Sequence, residues 1–157
     1  MNSGREIWRT TREAHPSWST PAIHEGKGKP ELVINAAPLI QGYGVSNGKE
    51  LWRLGSSTIN TAPTPVAAEG LIFVANGYDP LKPIYAVVPG SRRDLTLKEG
   101  ATGSDAIAWS NLREGPYMAT PLLYRGIFYV MSSRGVLTAF ESRTGKQIYQ
   151  QRLAPGR

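Results

Sequence analysis

The chain has 157 residues, 40% apolar and 19% charged, with 17 glycines, 12 prolines and no cysteine. Those proportions describe one folded unit of ordinary size made of many short segments and turns, and they exclude a disordered tail, a disulfide framework and thiolate chemistry. The formal charge of +6 comes from Lys and Arg set singly along the chain, and the densest groups, Lys27-Gly28-Lys29 and Arg92-Arg93, are too small to track a phosphate backbone, so nucleic acid is not a predicted partner.

Residues 3–10 predict a single strand that follows a turn and has no partner before it. A polar connection over 11–17 leads to a strand beginning at Trp18. Residues 26–30 predict a turn, and 31–36 are a β-branched run of strand type. A third strand over 38–46 reaches Asn47-Gly48, a hairpin turn because both residues tolerate positive φ, and 49–54 is the fourth strand. The next unit begins at residue 61, turns at Glu69-Gly70, continues as 71–75, breaks at Asn76-Gly77 and resumes as 84–88. There the tight turn gives way to a polar insert, 89–104, before the aromatic strand 106–109. The last unit is the most regular, with strands predicted over 118–123, 126–131, 136–140 and 146–153, and turns at Arg125-Gly126, Arg134-Gly135 and Thr144-Gly145.

Two landmarks fix the period. Thr20-Pro21, Thr64-Pro65 and Thr120-Pro121 are separated by 44 and 56 residues, and Trp8, Trp52, Trp109 and Tyr149 by 44, 57 and 40. Four short strands every 40 to 45 residues predict β-propeller blades. The expected fold is all-β: a partial β-propeller of four-stranded antiparallel blades, three full ones plus one strand. The divisions are 3–10 (last strand of a blade), 18–54, 61–112 with its insert, and 117–153.

The Thr-Pro start, the Gly70-Leu71-Ile72-Phe73-Val74 strand and the Thr144-Gly145-Lys146 turn followed by an aromatic resemble the PQQ-like (quinoprotein-type) propeller repeat. BamB-type outer-membrane assembly lipoproteins and quinoprotein alcohol dehydrogenases share that repeat. The resemblance implies a ring of seven or eight blades, and hence that this chain is a fragment with Met1 an internal start, or half of a ring completed by a second chain. It also implies an exported, periplasmic parent, although the first eighteen residues lack a signal peptide's hydrophobic segment and no apolar run is long enough to span a membrane.

The recurring aromatics Trp8, Trp52, Trp109 and Tyr149 are expected to dock blade on blade, as the family's tryptophan motif implies, with Gly48 and Gly145 serving the turns. A quinoprotein enzyme would need PQQ, a calcium ion held by oxygen ligands and a catalytic Asp. The chain offers Asp79, Asp94 and Asp105, all beside turns, where Asp caps backbone; Asp79 is the weak metal candidate. His15 and His24 lie in polar surroundings without a nucleophile-elbow pattern, and Gly26-Lys27-Gly28-Lys29 precedes a proline and a strand, so it is no phosphate loop. The insert, with Arg92 and Arg93, and the unit-edge aromatics Trp18, Tyr78 and Tyr117 form the expected partner surface, set against a bland surface elaboration. No catalytic residue and no cofactor are predicted. The expected function is a non-catalytic scaffold that binds a protein, with a dehydrogenase fragment whose PQQ and calcium site lies elsewhere, or a carbohydrate- or peptide-binding surface, as alternatives.

Overall fold

The computed structural model describes residues 4–25, 28–55 and 57–153. Ser3 of the expected first strand, Gly26 and Lys27 of the expected turn, and the closing residues 154–157 lie outside them. The described residues contain no helix. They form thirteen strands: β1 Ala22–His24, β2 Glu31–Ile34, β3 Ile40–Gly44, β4 Glu50–Leu54, β5 Val66–Ala68, β6 Leu71–Ala75, β7 Ile84–Val87, β8 Arg93–Asp94, β9 Ile107–Asn111, β10 Leu122–Tyr124, β11 Ile127–Met131, β12 Val136–Glu141 and β13 Gln147–Arg152.

Three sheets result: β1-β2-β3-β4-β8, β5-β6-β7-β9 and β10-β11-β12-β13, referred to as blades 1, 2 and 3. Within each, the four main strands are an antiparallel meander. The ladders slip at one equivalent place, between the third and fourth strands at Gly42/Tyr43, Ala86/Val87 and Ala139/Phe140. Such a bulge sharpens the local twist of the outer strand, and its recurrence marks three copies of one unit.

Period-two alternation decides what each blade buries. One face of blade 2 (Ile72, Val74, Tyr85, Val87, Ile107) packs against Val33, Ile40, Trp52 and Leu54 of blade 1. Its other face (Phe73, Ala75, Ile84, Ala86, Trp109) packs against Phe128, Val130 and Phe140 of blade 3. Phe73 and Phe128 stack with centroids 4.6 Å apart, and Trp109 meets Phe128 edge-on at 6.2 Å. The middle blade is therefore apolar on both faces, whereas β13 is exposed throughout.

Two expectations need correction. Residues 4–10 do not form the predicted strand, because no strand of the described chain offers them a ladder; Trp8 nevertheless docks on blade 1, as described below. The insert is not a plain polar loop either. Arg93 and Asp94 form β8, which pairs parallel to β4 and gives blade 1 a fifth strand.

The meander puts the turns β1–β2, β3–β4, β5–β6, β10–β11 and β12–β13 at one end of the blades. The loops β2–β3, β6–β7 and β11–β12 and the connections between blades lie at the other end, the loop end.

Candidate functional site

At the loop end, loop 76–83 of blade 2 and connection 112–117 are locked together. Asn76 N–H donates to Pro83 O (2.8 Å), Lys82 N–H to Leu112 O (3.0 Å) and Gly115 N–H to Lys82 O (2.8 Å). Gly77 and Gly115 allow this approach, since a Cβ on either would run into the backbone of the opposite segment. Together with Ser132, Ser133 and Arg134 of blade 3, these segments line a cleft of about 270 Å³. Tyr78 and Tyr117 lie in its wall with ring centroids 5.7 Å apart, tilted by 37°. Lys82 Nζ pairs with Asp79 Oδ1 at 3.3 Å. The Arg134 carbonyl accepts from Arg152 Nη1 (3.0 Å), while its guanidinium has no partner among the described residues. Leu81 and Leu112 stand exposed on the same two segments, and Met118 directly after the second.

The residues present do not fit a calcium–quinone centre. Calcium takes roughly six to eight oxygens, and among the described residues Asp79 is the one carboxylate lining the cleft, already paired with a lysine. Asp94 sits in β8, where hydrogen bonds from Thr96 hold its carboxyl below the usual range. Asp105 is exposed. Among the described residues no group of three His, Cys, Asp or Glu converges. Neither His15 nor His24 hydrogen-bonds a serine or carboxylate through its ring there. His24 borders a second hollow, of about 810 Å³, at the turn end between blades 1 and 2.

The docking aromatics fall into three kinds. Trp109 Nε1 donates to Ser142 O (2.8 Å), and its ring lies so close to Gly145 that a Cβ there would sit 2.5 Å from Cδ2. Trp8 repeats this one blade earlier, donating to Val45 O (2.8 Å) with its ring over Gly48. Trp52 differs. The turn it would meet on blade 2 is replaced by the insert, so its indole lies over Gly42 of its own blade and Nε1 donates to Glu31 Oε2 (3.1 Å). Tyr149, on the uncovered face of blade 3, is 41% exposed, against 6% for Trp109 at the equivalent place.

Of the other expected surface residues, Trp18 is exposed, its backbone N–H held by Thr61 O. Arg92 is engaged within the chain: Nη1 pairs with Glu31 Oε1 at 2.8 Å, and Gly90 N–H reaches the same oxygen at 3.2 Å. Arg93 is the exposed first residue of β8. Tyr78, Asp79 and Tyr117 come together in the cleft, without Trp18, Arg92 or Arg93.

Three seam groups escaped the sequence. Glu31, 1% exposed, stands in for the missing turn. Glu69 Oε1 accepts from Gly126 N–H and Oε2 from Ser142 Oγ, both at 2.8 Å, tying blade 2 to two turns of blade 3. Asn35 and Asn76 exchange reciprocal amide hydrogen bonds of 2.8 Å, fully buried. Asn35 and Asn76 each follow the second strand of a blade, a repeat-position signal open to a sequence reader; the two glutamates carry none.

Three meandering sheets packed face to face, with Trp8 docked on a turn of blade 1 and Trp109 on a turn of blade 3, define part of a β-propeller. The family model described as outer membrane protein assembly factor BamB matches residues 1–157, and the chain belongs to that family. Among solved structures it is similar to BamB from Moraxella catarrhalis, with 16% identity and a TM-score of 0.64, over 94% of this chain and 40% of that one. It is similar also to the quinohemoprotein alcohol dehydrogenase ADHIIG from Pseudomonas putida HK5, at 14% identity and a TM-score of 0.64, over 96% of this chain and 22% of that one. The computationally designed protein Ika8 matches at 12% identity and a TM-score of 0.52, over 86% and 36% of the two chains. No curated protein sequence matches. The chain thus spans between 22% and 40% of the lengths of these solved proteins.

Proposed function

We propose that this part of a propeller is a non-catalytic module that docks a protein partner, within a parent exported to the periplasm. The observation that carries the reading is the loop-end surface of blade 2. Two tyrosines sit on loops cross-linked by backbone hydrogen bonds, flanked by exposed Leu81, Leu112 and Met118 and by Arg134, whose guanidinium has no partner among the described residues. Aromatic, Met and Arg side chains on rigid supports are what protein interfaces are enriched in. Membership of a family described as an assembly factor supports the same reading.

In the parent, we infer, further propeller structure covers the free face of blade 3. There Ile127, Tyr129, Leu137, Ala139 and Tyr149 hold the ladder positions at which blade 2 presents Leu71, Phe73, Ile84, Ala86 and Trp109 to blade 3. A second copy of this chain fits that role poorly, because its own Trp8 already occupies the docking turn of blade 1. The likeness to a quinohemoprotein alcohol dehydrogenase favours a second reading, a portion of such an enzyme with its centre in other blades.

In-frame removal of residues 4–153 from the parent gene separates the two. The expected result is a fall in outer-membrane protein abundance with alcohol-dependent dye reduction, measured with PQQ and calcium, unchanged. Loss of dye reduction with normal outer-membrane protein levels would overturn the docking reading.

A further inference from the structure

We infer that the cleft between blades 2 and 3 takes an extended peptide segment in which a carboxylate side chain neighbours an apolar one. The inference rests on the docking reading above and names the chemistry of the partner.

Three features of the cleft carry it. Its walls are aromatic: Tyr78 and Tyr117 lie 5.7 Å apart, tilted instead of stacked, so the pair presents a ridged apolar surface that suits one aliphatic or aromatic side chain. Its charge is biased. Of the three ionic groups on the lining, Lys82 and Arg134 are cationic and Asp79 anionic, and the ion pair between Asp79 and Lys82 leaves Arg134 as the net charge. That guanidinium has no partner among the described residues, and a planar fork of donors is best matched by a carboxylate. Finally, the supports are rigid. Loop 76–83 is bonded to connection 112–117 at two places and closed on itself at a third, and the backbone of Arg134 is fixed to Arg152. The ordering cost of binding therefore falls mainly on the peptide. A volume of about 270 Å³ seats one or two side chains, not a folded domain, so the partner inserts a loop or terminus.

The test uses the chain itself and two synthetic peptides, Ac-Gly-Leu-Asp-Phe-Gly-NH2 and the same peptide with Asn in place of Asp, titrated by calorimetry at low and at moderate salt. The acidic peptide is expected to bind at least about tenfold more tightly, the difference a charge-assisted hydrogen bond makes, and the advantage should shrink with salt. Arg134→Gln, at an exposed position, should erase the advantage while leaving thermal unfolding unchanged, and Tyr117→Ser should weaken both peptides alike. Equal binding of the two peptides overturns the carboxylate assignment while the docking reading stands. No binding of either at millimolar concentration overturns the inference altogether, and the docking reading is then judged by the in-frame removal alone.

Discussion

Gly145→Ala tests whether the tryptophan-on-glycine contact holds blades 2 and 3 together. Gly145 has φ +71°, and Gly126, in another turn of blade 3, has φ +78°, so an alanine at either costs about 1 kcal/mol of backbone strain. They differ in what the new methyl group meets. At Gly126 there is nothing within 4 Å, whereas at Gly145 the Cβ lies 2.5 Å from Trp109 Cδ2. Trp109 cannot swing aside cheaply: its indole is tied to Ser142 O at 2.8 Å and packed on Phe73, Phe128 and Phe140. Overpacking of that kind adds about 1–3 kcal/mol. Gly145→Ala should therefore cost about 2–4 kcal/mol and Gly126→Ala about 1 kcal/mol. Urea unfolding followed by tryptophan fluorescence measures both. Equal losses, within about 0.5 kcal/mol, would refute the docking contact as a source of stability.

At the other seam, Glu31→Ala orphans the Trp52 and Gly90 N–H groups and leaves Arg92 with only the Ser91 carbonyl, and should cost about 2–5 kcal/mol. Arg92→Ala should cost less, about 1–2 kcal/mol, since the buried Glu31 carboxylate loses its cation but keeps its bonds from Trp52 and Gly90; the reverse ranking in urea unfolding would refute Glu31 as the organising group. Tyr43 gives a pH prediction. Burial, with Glu50 adding to it, pushes its phenol above the ordinary value of 10.0. The folded state then holds this proton more tightly than the unfolded one, so its contribution is fully present below about pH 10 and lost as pH rises through the raised folded value. Tyr43→Phe removes a buried hydroxyl with no hydrogen-bond partner among the described residues. It should leave stability at pH 7 unchanged or higher and flatten its decline above pH 10, as urea midpoints across that range would show.

What the sequence made legible was whatever repeats. The Thr-Pro landmarks meet in space, Thr64 N–H donating to Thr120 Oγ1 at 3.1 Å, and the turn glycines Gly48 and Gly145 have the positive φ their turns demand. Strand positions followed because alternation and turn chemistry are local. The unread part was non-local. Residues 4–10 carry the pattern of a fourth strand, but a pattern forms a strand only beside another strand. Glu31 looks like any polar residue opening a strand, and its burial is set by the insert arriving from the next blade, 59 residues further on. The cleft was half legible: Tyr78, Asp79 and Tyr117 stood out as loop residues, but Arg134 reads from sequence as an ordinary turn residue.

The insert can be weighed as a strap against a tolerated elaboration. Replacing residues 89–104 by an Asn-Gly turn would give blade 2 the tight hairpin of its neighbours and recover about 2 kcal/mol of loop-closure entropy. The same replacement removes what the insert holds in place. Leu95, 6% exposed, leaves the core between blades 1 and 2, which costs about 2 kcal/mol. Glu31 is deprived of Gly90 and Arg92, at about 1–3 kcal/mol. The outer edge of β4 gives up its bond from Leu95 N–H to Arg53 O (2.8 Å), and Gly55 N–H gives up Thr96 Oγ1 (2.8 Å). The penalties exceed the gain by about 1–3 kcal/mol, so the shortened chain should be less stable. Leu95→Ala in the full-length chain should reproduce much of the effect. A shortened chain as stable as the original, with Leu95→Ala neutral, would mean that the seam between blades 1 and 2 is held by Trp52 and its apolar neighbours alone.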